Sequence, residues 1–364
     1  MKIGFDAKRL YNNFTGLGNH SRTTVDILTE FYPDNEYLLY TPKIKHNGIT
    51  SPYLEKNGCR TILPHGLIKG GLWRTFGLAS AIKKEKVDIF HGLSNELPAG
   101  LDIPSVVTIH DVAFKTFPDM YHWHDRKIYD LKWQYACNHA DHIICISECT
   151  KKDVLEFYNV PEHKVEVIYQ PVNPIYYQKP MERADLPPYL LYVGSVNSRK
   201  NLLGVVKAME LMPKDLQLPL VVVGGGGSYK QKVKQYIAEK GMESRVMWPD
   251  MMDADGLKRL YTNAEMLVYP SFYEGFGLPV VEAQLCGCPV VTSNVSSLPE
   301  AGGPFALQAD PNSPEDICEK MTRLLTDTEL RQKTIEGGRQ YASETFDPRK
   351  LARQLMGVYE KLKN

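Results

Sequence analysis

No window of the 364 residues approaches the ~18 apolar positions that a membrane-spanning helix needs, and the start "MKIGFDAKRL" carries no apolar signal core. A cytoplasmic protein is expected. There is no surplus of charge either: 43 Lys and Arg stand against 43 Asp and Glu. With a formal net charge of zero, nothing global draws the chain to nucleic acid or to an anionic membrane, so any anion site has to be local. The seven cysteines are odd in number and scattered, without the spacing of a disulfide framework, and reduced thiols are expected. Cys286-Gly287-Cys288 puts one residue between its thiols, where the redox motif and most zinc knuckles use at least two, and it reads as core packing. Solenoid repeats and low-complexity tracts are absent from the sequence.

What the chain does have is two series of short apolar runs separated by helical stretches. "KIGFD" (2–6), "EYLLY" (36–40), "VDIFH" (87–91), "SVVTIH" (105–110), "DHIICIS" (141–147) and "VEVIY" (165–169) form the first. "YLLYVGS" (189–195), "LVVVGGG" (220–226), "RVMW" (245–248), "EMLVYP" (265–270) and "PVVTS" (289–293) form the second. Continuous apolar strands alternating with amphipathic helices indicate parallel sheets covered on both faces, so the fold class is α/β, twice over. The length agrees, because single cores stop growing near roughly 250–300 residues. Between the series, "QPVNPIYYQKPMERADLPP" (170–188) has five prolines and no apolar periodicity, and reads as a linker. The expected division is a first domain over 1–170, a second over 171–346, and a helix over 347–364 that either caps the second domain or crosses back to the first. Ligands of such sheets sit at the carboxyl ends of the strands, so a site is expected in a cleft between two sheets.

Several stretches carry chemistry at those strand ends. In "YVGSVNSRKNLLGVVKAM" (192–209) a strand ends at Gly194, a loop presents Arg199 and Lys200, and a helix begins at Asn201. Two cations at a helix N-terminus oppose the macrodipole unless an anion lies between them, and a diphosphate would satisfy both. "SFYEGFGLPVVEAQLCG" (271–287) places Glu274 in a loop and Glu282 in the first turn of the helix that Pro279 opens, with Gly275 and Gly277 allowing the main chain close to a ligand. "TGLGNHSR" (15–22) precedes a helix, and Gly16 and Gly18 either admit a ligand to the backbone or make the turn. His110, with Asp111 after it, stands just past a buried strand, where it either bonds a polar substrate or closes the strand. The glycine run in "VVVGGGGSYKQKVKQ" (221–235) departs from the dinucleotide spacing and is equally a plain strand-to-helix turn. Asp253-Ala254-Asp255 reads as helix capping and not as a metal site, and the histidines of "YHWHD" (121–125) do not converge on one ion if both lie on a helix.

Taken together, "TGLGNH", "HDVAF", "GSVNSRKN" and the E-x7-E element "EGFGLPVVE" resemble, in order and over nearly the whole chain, the retaining GT-B glycosyltransferases of family 4. "CISECTKKDVLEFYNVPEHKVEVIYQPVN" (145–173) is similar to the family's approach to its interdomain linker. The resemblance implies two Rossmann-like domains whose parallel sheets face each other across a cleft, and transfer of a hexose from a nucleotide diphosphate sugar. It implies that Glu282 receives the ribose hydroxyls and that Glu274 contacts the donor sugar, with Gly275, Phe276 and Gly277 beside it. Arg199 and Lys200 would hold the diphosphate, Gly16 and Gly18 would close on the donor, and His110 would stand beside the transferred sugar. Many members carry Arg directly after the strand-end glycine, where this chain has Ser195.

The resemblance further implies no metal and no cofactor besides the nucleotide sugar, GDP-mannose first and a UDP-sugar as the alternative. The acceptor is expected to be a glycan or a lipid-linked sugar. "GLIKGGLWRTFGLASAIKKEK" (66–86) mixes Leu72, Trp73, Phe76, Ala79 and Ile82 with basic residues, as either a helix packed on the first sheet or a peripheral contact with the inner membrane face. Other classes remain at this point: a GT-B epimerase, a non-catalytic sugar-nucleotide binder, and an oxidoreductase using "VVVGGGG" as its dinucleotide loop.

Overall fold

The protein's computed structural model describes residues 1–64, 70–178, 181–250 and 252–364. It divides into two compact units, Met1–Pro171 with Pro348–Asn364, and Val172–Asp347. Each is a parallel sheet flanked by helices.

The first unit contains β1 (Lys2–Asp6), β2 (Glu36–Tyr40), β3 (Cys59–Ile62), β4 (Ile89–Gly92), β5 (Ser105–Ile109), β6 (His142–Cys145) and β7 (Val165–Val167), in the spatial order β3-β2-β1-β4-β5-β6-β7. The second contains β8 (Leu190–Val193), β9 (Leu220–Val223), β10 (Val246–Met247), β11 (Met266–Tyr269), β12 (Val290–Ser293) and β13 (Leu307–Ala309), ordered β10-β9-β8-β11-β12-β13. The apolar runs of the sequence became strands because both their faces are covered: β4, β5, β6, β8, β9, β11 and β12 are buried at every residue. The runs missed two strands, β3 and β13. Both are edge strands whose residues are mostly half-exposed, so neither needs the apolar composition that marks a central strand.

In each sheet the chain builds outward from its first strand and then reverses direction, at β1/β4 in one unit and at β8/β11 in the other. Loops leaving such a pair diverge, and the crevice between them is the ordinary ligand position of an open α/β sheet.

The stretch 170–188, expected as a linker, is in part built into the second unit. Pro174–Tyr177 form a turn in which buried Tyr176 meets Tyr261 nearly edge-on, with centroids 6.0 Å apart, and the Tyr177 hydroxyl donates to the Phe346 carbonyl at 2.5 Å. Lys258 Nζ donates to the Ile175 carbonyl at 2.9 Å. The stretch is therefore anchored, by an aromatic pair too short to show periodicity. The terminal helix Pro348–Lys363 belongs to the first unit, where it buries Leu351, Leu355, Met356 and Tyr359 among Ile3, Phe5 and Ile89. The Tyr359 hydroxyl lies 2.6 Å from His91 Nδ1, and His91 Nε2 lies 2.8 Å from Thr108 Oγ1. Burial pushes this imidazole down to about 3, and a neutral ring has one N–H and one lone pair to match two hydroxyls.

Candidate functional site

The loops leaving β8 and β11 are knitted together at the switch point of the second unit. Ser198–Lys200 make a short 3₁₀ turn, and Asn201, in the left-handed region at φ 55°, caps the helix Leu202–Leu211. That helix therefore starts one residue later than expected. Asn201 Nδ2 donates to the carbonyls of Pro270 and Pro311, the Phe272 N–H donates to the Arg199 carbonyl at 2.8 Å, and Arg199 Nη1 donates to the Tyr273 carbonyl at 2.5 Å.

Across this seam Glu274 meets both predicted cations. Its Oε1 is 2.8 Å from Lys200 Nζ and its Oε2 is 3.2 Å from Arg199 Nη1, while Tyr269 and Ser271 donate hydroxyls to Oε1 at 3.0 and 2.8 Å. Lys200 Nζ also bonds the Tyr269 hydroxyl and sits 4.9 Å from that ring's centroid. Burial would push the Glu274 carboxyl up, but Lys200 and then Arg199 outweigh it and hold the group at about 2. The sequence argument needed a bound anion to explain Arg199 and Lys200. The structure supplies one from the chain itself, and two cations with one carboxylate leave a single net positive charge.

Glu282 sits differently. It lies in the second turn of the helix Leu278–Leu285 and not in the first, because the helix starts at Leu278 with Pro279 behind it. The Tyr261 hydroxyl donates to its Oε2 at 2.9 Å. Burial dominates and the hydrogen bond opposes it only in part, so the carboxyl is pushed up to about 7. The two glutamates are thus separated in charge state by surroundings alone.

The loop between them is tightly held. Gly277 has φ 112°, and a Cβ there would come 2.7 Å from Leu298 Cδ2, so this position demands glycine. Ser297 Oγ lies 2.8 and 2.9 Å from the carbonyls of Glu274 and Phe276, and Phe276 is buried edge-on against Phe346 with centroids 5.3 Å apart. Phe276 is part of the packing that shapes the loop, which Gly275 shares.

Other sequence motifs have local explanations. Gly16 and Gly18 are inside the first turn of the helix Gly16–Phe31 and not in a loop before it. A Cβ on Gly18 would fall 1.8 Å from the Asn13 carbonyl oxygen, whereas Gly16 faces open space. The run Gly224–Gly227 serves close approach of chain to chain: a Cβ on Gly224 would fall 1.9 Å from the Gly194 carbonyl oxygen, and one on Gly226 would fall 2.5 Å from that of Val196. Asp253 accepts from the Gly256 N–H as a cap, Asp255 pairs with Arg259, and among the described residues no cluster of three His, Cys, Asp or Glu is arranged to hold a metal. All seven cysteines are free thiols, and Cys286 and Cys288 are buried.

His110 is buried in the first unit, where its Nε2 donates to the Leu93 carbonyl at 2.9 Å and its N–H donates to Asn95 Oδ1 at 2.7 Å. Burial draws its imidazole down to about 4, leaving Nδ1 as the acceptor of a neutral ring. His20 stands edge-on to it at 4.5 Å between centroids. His122 caps the helix Trp123–His139 from outside it, and this lets its ring stack on His124 at 5.5 Å, a closeness that a placement within the helix forbids. Of the 66–86 stretch, residues 66–69 lie outside the described ones. Beyond them Trp73, Leu78 and Ile82 pack against Leu38, Tyr40 and Phe90, while Leu72 and Phe76 are each 67% exposed. Among the described residues no helix is long and apolar enough to cross a membrane.

Sequence reasoning missed Tyr269, Ser271 and Tyr261. Tyr269 lies in a strand, Ser271 in the loop after it and Tyr261 in a helix, and their hydroxyl partners are revealed only by the fold around β11.

The family model described as "Glycosyltransferase Family 4" matches residues 21–175, and that of "Glycosyl transferases group 1" matches residues 177–341. The chain is 33% identical to the O-antigen chain mannosyltransferase B of Escherichia coli over 267 residues, covering 70% of this chain and 69% of that one. It is 28% identical to the O-antigen chain mannosyltransferase RfbU of Salmonella typhimurium, over 57% of this chain and 56% of that one. Among solved structures, Anabaena HepE in complex with UDP and glucose superposes over the whole of both chains with a TM-score of 0.77 at 17% identity, a likeness of fold. The chain belongs to the GT-B glycosyltransferases of family 4.

Proposed function

We propose that this glycosyltransferase moves mannose from GDP-mannose, with retention of configuration and without a metal, to a hydroxyl of a glycan or lipid-linked acceptor. The observation that carries the reading is the Arg199–Glu274–Lys200 cluster bridging the two switch-point loops of the second unit. Breaking the bond between sugar C1 and phosphate builds negative charge on the leaving diphosphate. The net positive charge of the cluster stabilises that charge more than it stabilises the ground state. The leaving phosphate oxygen then serves as base for the acceptor hydroxyl on the same face of the sugar, which retains configuration without a carboxylate nucleophile.

In this reading Glu274 turns from its cations toward hydroxyls of the donor sugar, and Glu282, anchored at one oxygen by Tyr261, receives ribose hydroxyls at the other. The neutral His110 accepts a hydrogen bond from a substrate hydroxyl through Nδ1. Mannose is favoured because relatives named as mannosyltransferases match over both units. Peripheral attachment to the inner membrane face, through the exposed Leu72 and Phe76, is the placement that fits a lipid-linked acceptor.

The test is mass spectrometry of transfer from a panel of nucleotide sugars in the presence of chelator. Mannosyl transfer from GDP-mannose with the new linkage in the α configuration is expected. Turnover restricted to magnesium, or a UDP-sugar as the sole donor, would overturn the corresponding part. Conversion of the nucleotide sugar without acceptor would make the protein an epimerase.

A further inference from the structure

The switch point of the first unit holds more cations than carboxylates among the described residues. β1 ends at Asp6, and the short helix Lys8–Asn12 that follows begins with Lys8 and Arg9. The two nearby carboxylates are already engaged. Arg74, itself buried, pairs with Asp6 at 2.6 Å and with Glu96 at 2.7 Å, and Lys132 pairs with the same Glu96 oxygen at 3.0 Å. Four cations against two carboxylates leave two positive charges over. Neither side chain, Lys8 or Arg9, has an ion-pair or hydrogen-bond partner among the described residues, and Arg9 Nε is buried without one.

The pair is also held in place. Arg22, buried under the helix, donates through Nη1 to the carbonyls of Leu10 and Asn13 at 2.8 and 2.9 Å, fixing the carboxyl end of the segment that carries Lys8 and Arg9. Burial, and then the Arg74 guanidinium, draw the Lys8 ammonium below its usual value against the opposing pull of Glu96 and Asp6. Arg9 acts likewise on His110, so the excess charge reaches the end of β5 as well. Desolvated like charges on a fixed scaffold are unfavourable in the empty protein and are relieved by an arriving anion.

We propose that Lys8 and Arg9 form an anion site of the first unit that binds a phosphate or diphosphate ester, with Arg9 offering a fork and Lys8 a point charge. That the ester belongs to the acceptor rests on the glycosyl-transfer reading above; the anion site itself does not. A phosphate-bearing acceptor would be gripped here through its charge, leaving its sugar hydroxyl free to react.

The experiment is calorimetric titration of the full chain with sodium pyrophosphate, in chelator, with and without saturating GDP. Wild type is expected to keep one pyrophosphate site when GDP is bound. Lys8→Gln/Arg9→Gln should lose that site, with affinity at least tenfold weaker, while binding GDP as wild type does. Retention of the site in this variant, or competition of GDP for all pyrophosphate binding, would overturn the proposal. If neither GDP nor UDP binds and the variant still loses the pyrophosphate site, the donor reading falls and the anion site stands. Sedimentation with vesicles containing phosphatidic acid separates the sources: loss of vesicle binding in the variant assigns a lipid phosphate, and equal vesicle binding with loss of the pyrophosphate site assigns a soluble ester.

Discussion

Both sheets follow their first strand with a short helical turn carrying two adjacent cations, Lys8-Arg9 after β1 and Arg199-Lys200 after β8. In the second unit a carboxylate from the neighbouring loop, Glu274, lies between the cations. In the first, the carboxylates that stand there, Asp6 and Glu96, are taken by Arg74 and Lys132. One topological position thus holds two electrostatic solutions. The cluster with its own anion is pre-organised, so a ligand has to share or displace Glu274; the cluster without one keeps its unfavourable charge until a ligand arrives.

The largest effect that tests this comparison is expected at Arg74. Removing it in Arg74→Ala leaves two largely buried carboxylates without their shared partner, and loss of one member of a buried ion pair costs about 3–5 kcal/mol. The midpoint of urea unfolding should fall accordingly. An unchanged midpoint would mean that Lys8 and Arg9 move in to neutralise Asp6 and Glu96, and then the two switch points are not different in kind.

In the second unit the corresponding loss should appear in turnover. Lys200→Ala and Arg199→Ala each remove a charge that the proposed mechanism sets against the leaving diphosphate, and deletion of such a stabilising group lowers kcat by about 10²–10³. Steady-state rates with the donor saturating give the comparison. Unchanged kcat in both variants would detach the cluster from catalysis.

A smaller and more discriminating effect is expected for Glu274→Gln. The substitution keeps the size of the side chain and raises the net charge of the cluster from one to two. Free GDP should therefore bind as tightly as to wild type or tighter, while turnover falls by about 1–3 kcal/mol through the lost sugar contact. Weaker GDP binding in calorimetry would place Glu274 on the nucleotide.

Much of this was legible in the sequence, for reasons that differ by element. Fully buried strands such as "LVVV" and "MLVY" show as continuous apolar runs, and "EYLLY" fell on β2 at both ends. Edge strands β3 and β13 carry no such requirement and went unread. Of the site, the residues with unusual chemistry for their position, Arg199, Lys200 and Glu274, were found, and the structure brings them together. Their mutual pairing was not found, because it depends on β8 and β11 being neighbours across 69 residues of chain between Lys200 and Tyr269. Tyr261 and Tyr269 were invisible for a related reason: a buried tyrosine looks like core until its hydroxyl has a partner. The glycines left two readings open in the sequence, and at Gly18, Gly224 and Gly226 the structure shows close approach of the chain's own carbonyls.

The smallest effect follows from Tyr261, which contrasts the two glutamates most finely. Glu274 is held ionised by two cations, so small pH changes near neutrality leave it alone. Glu282 is pushed up to about 7 by burial and restrained by the Tyr261 hydroxyl, so it titrates near neutral pH. In the proposed placement ribose hydroxyls donate to Glu282, and the ionised carboxylate is the better acceptor, so nucleotide binding is expected to favour the deprotonated form. Affinity should then rise as pH rises through about 7 and level off above it, with a proton released on binding at lower pH. Tyr261→Phe removes the bond that opposes burial and moves the midpoint upward. Near neutral pH the variant should bind GDP about fivefold more weakly, roughly the 1 kcal/mol of one hydrogen bond, and should approach wild type at alkaline pH. Glu282→Gln should be weak at every pH and show no slope. Calorimetry of GDP binding across neutral pH reads all three proteins; a Tyr261→Phe defect that is the same at every pH would make that tyrosine a packing residue, and a slope that survives in Glu282→Gln would assign the titration to another group.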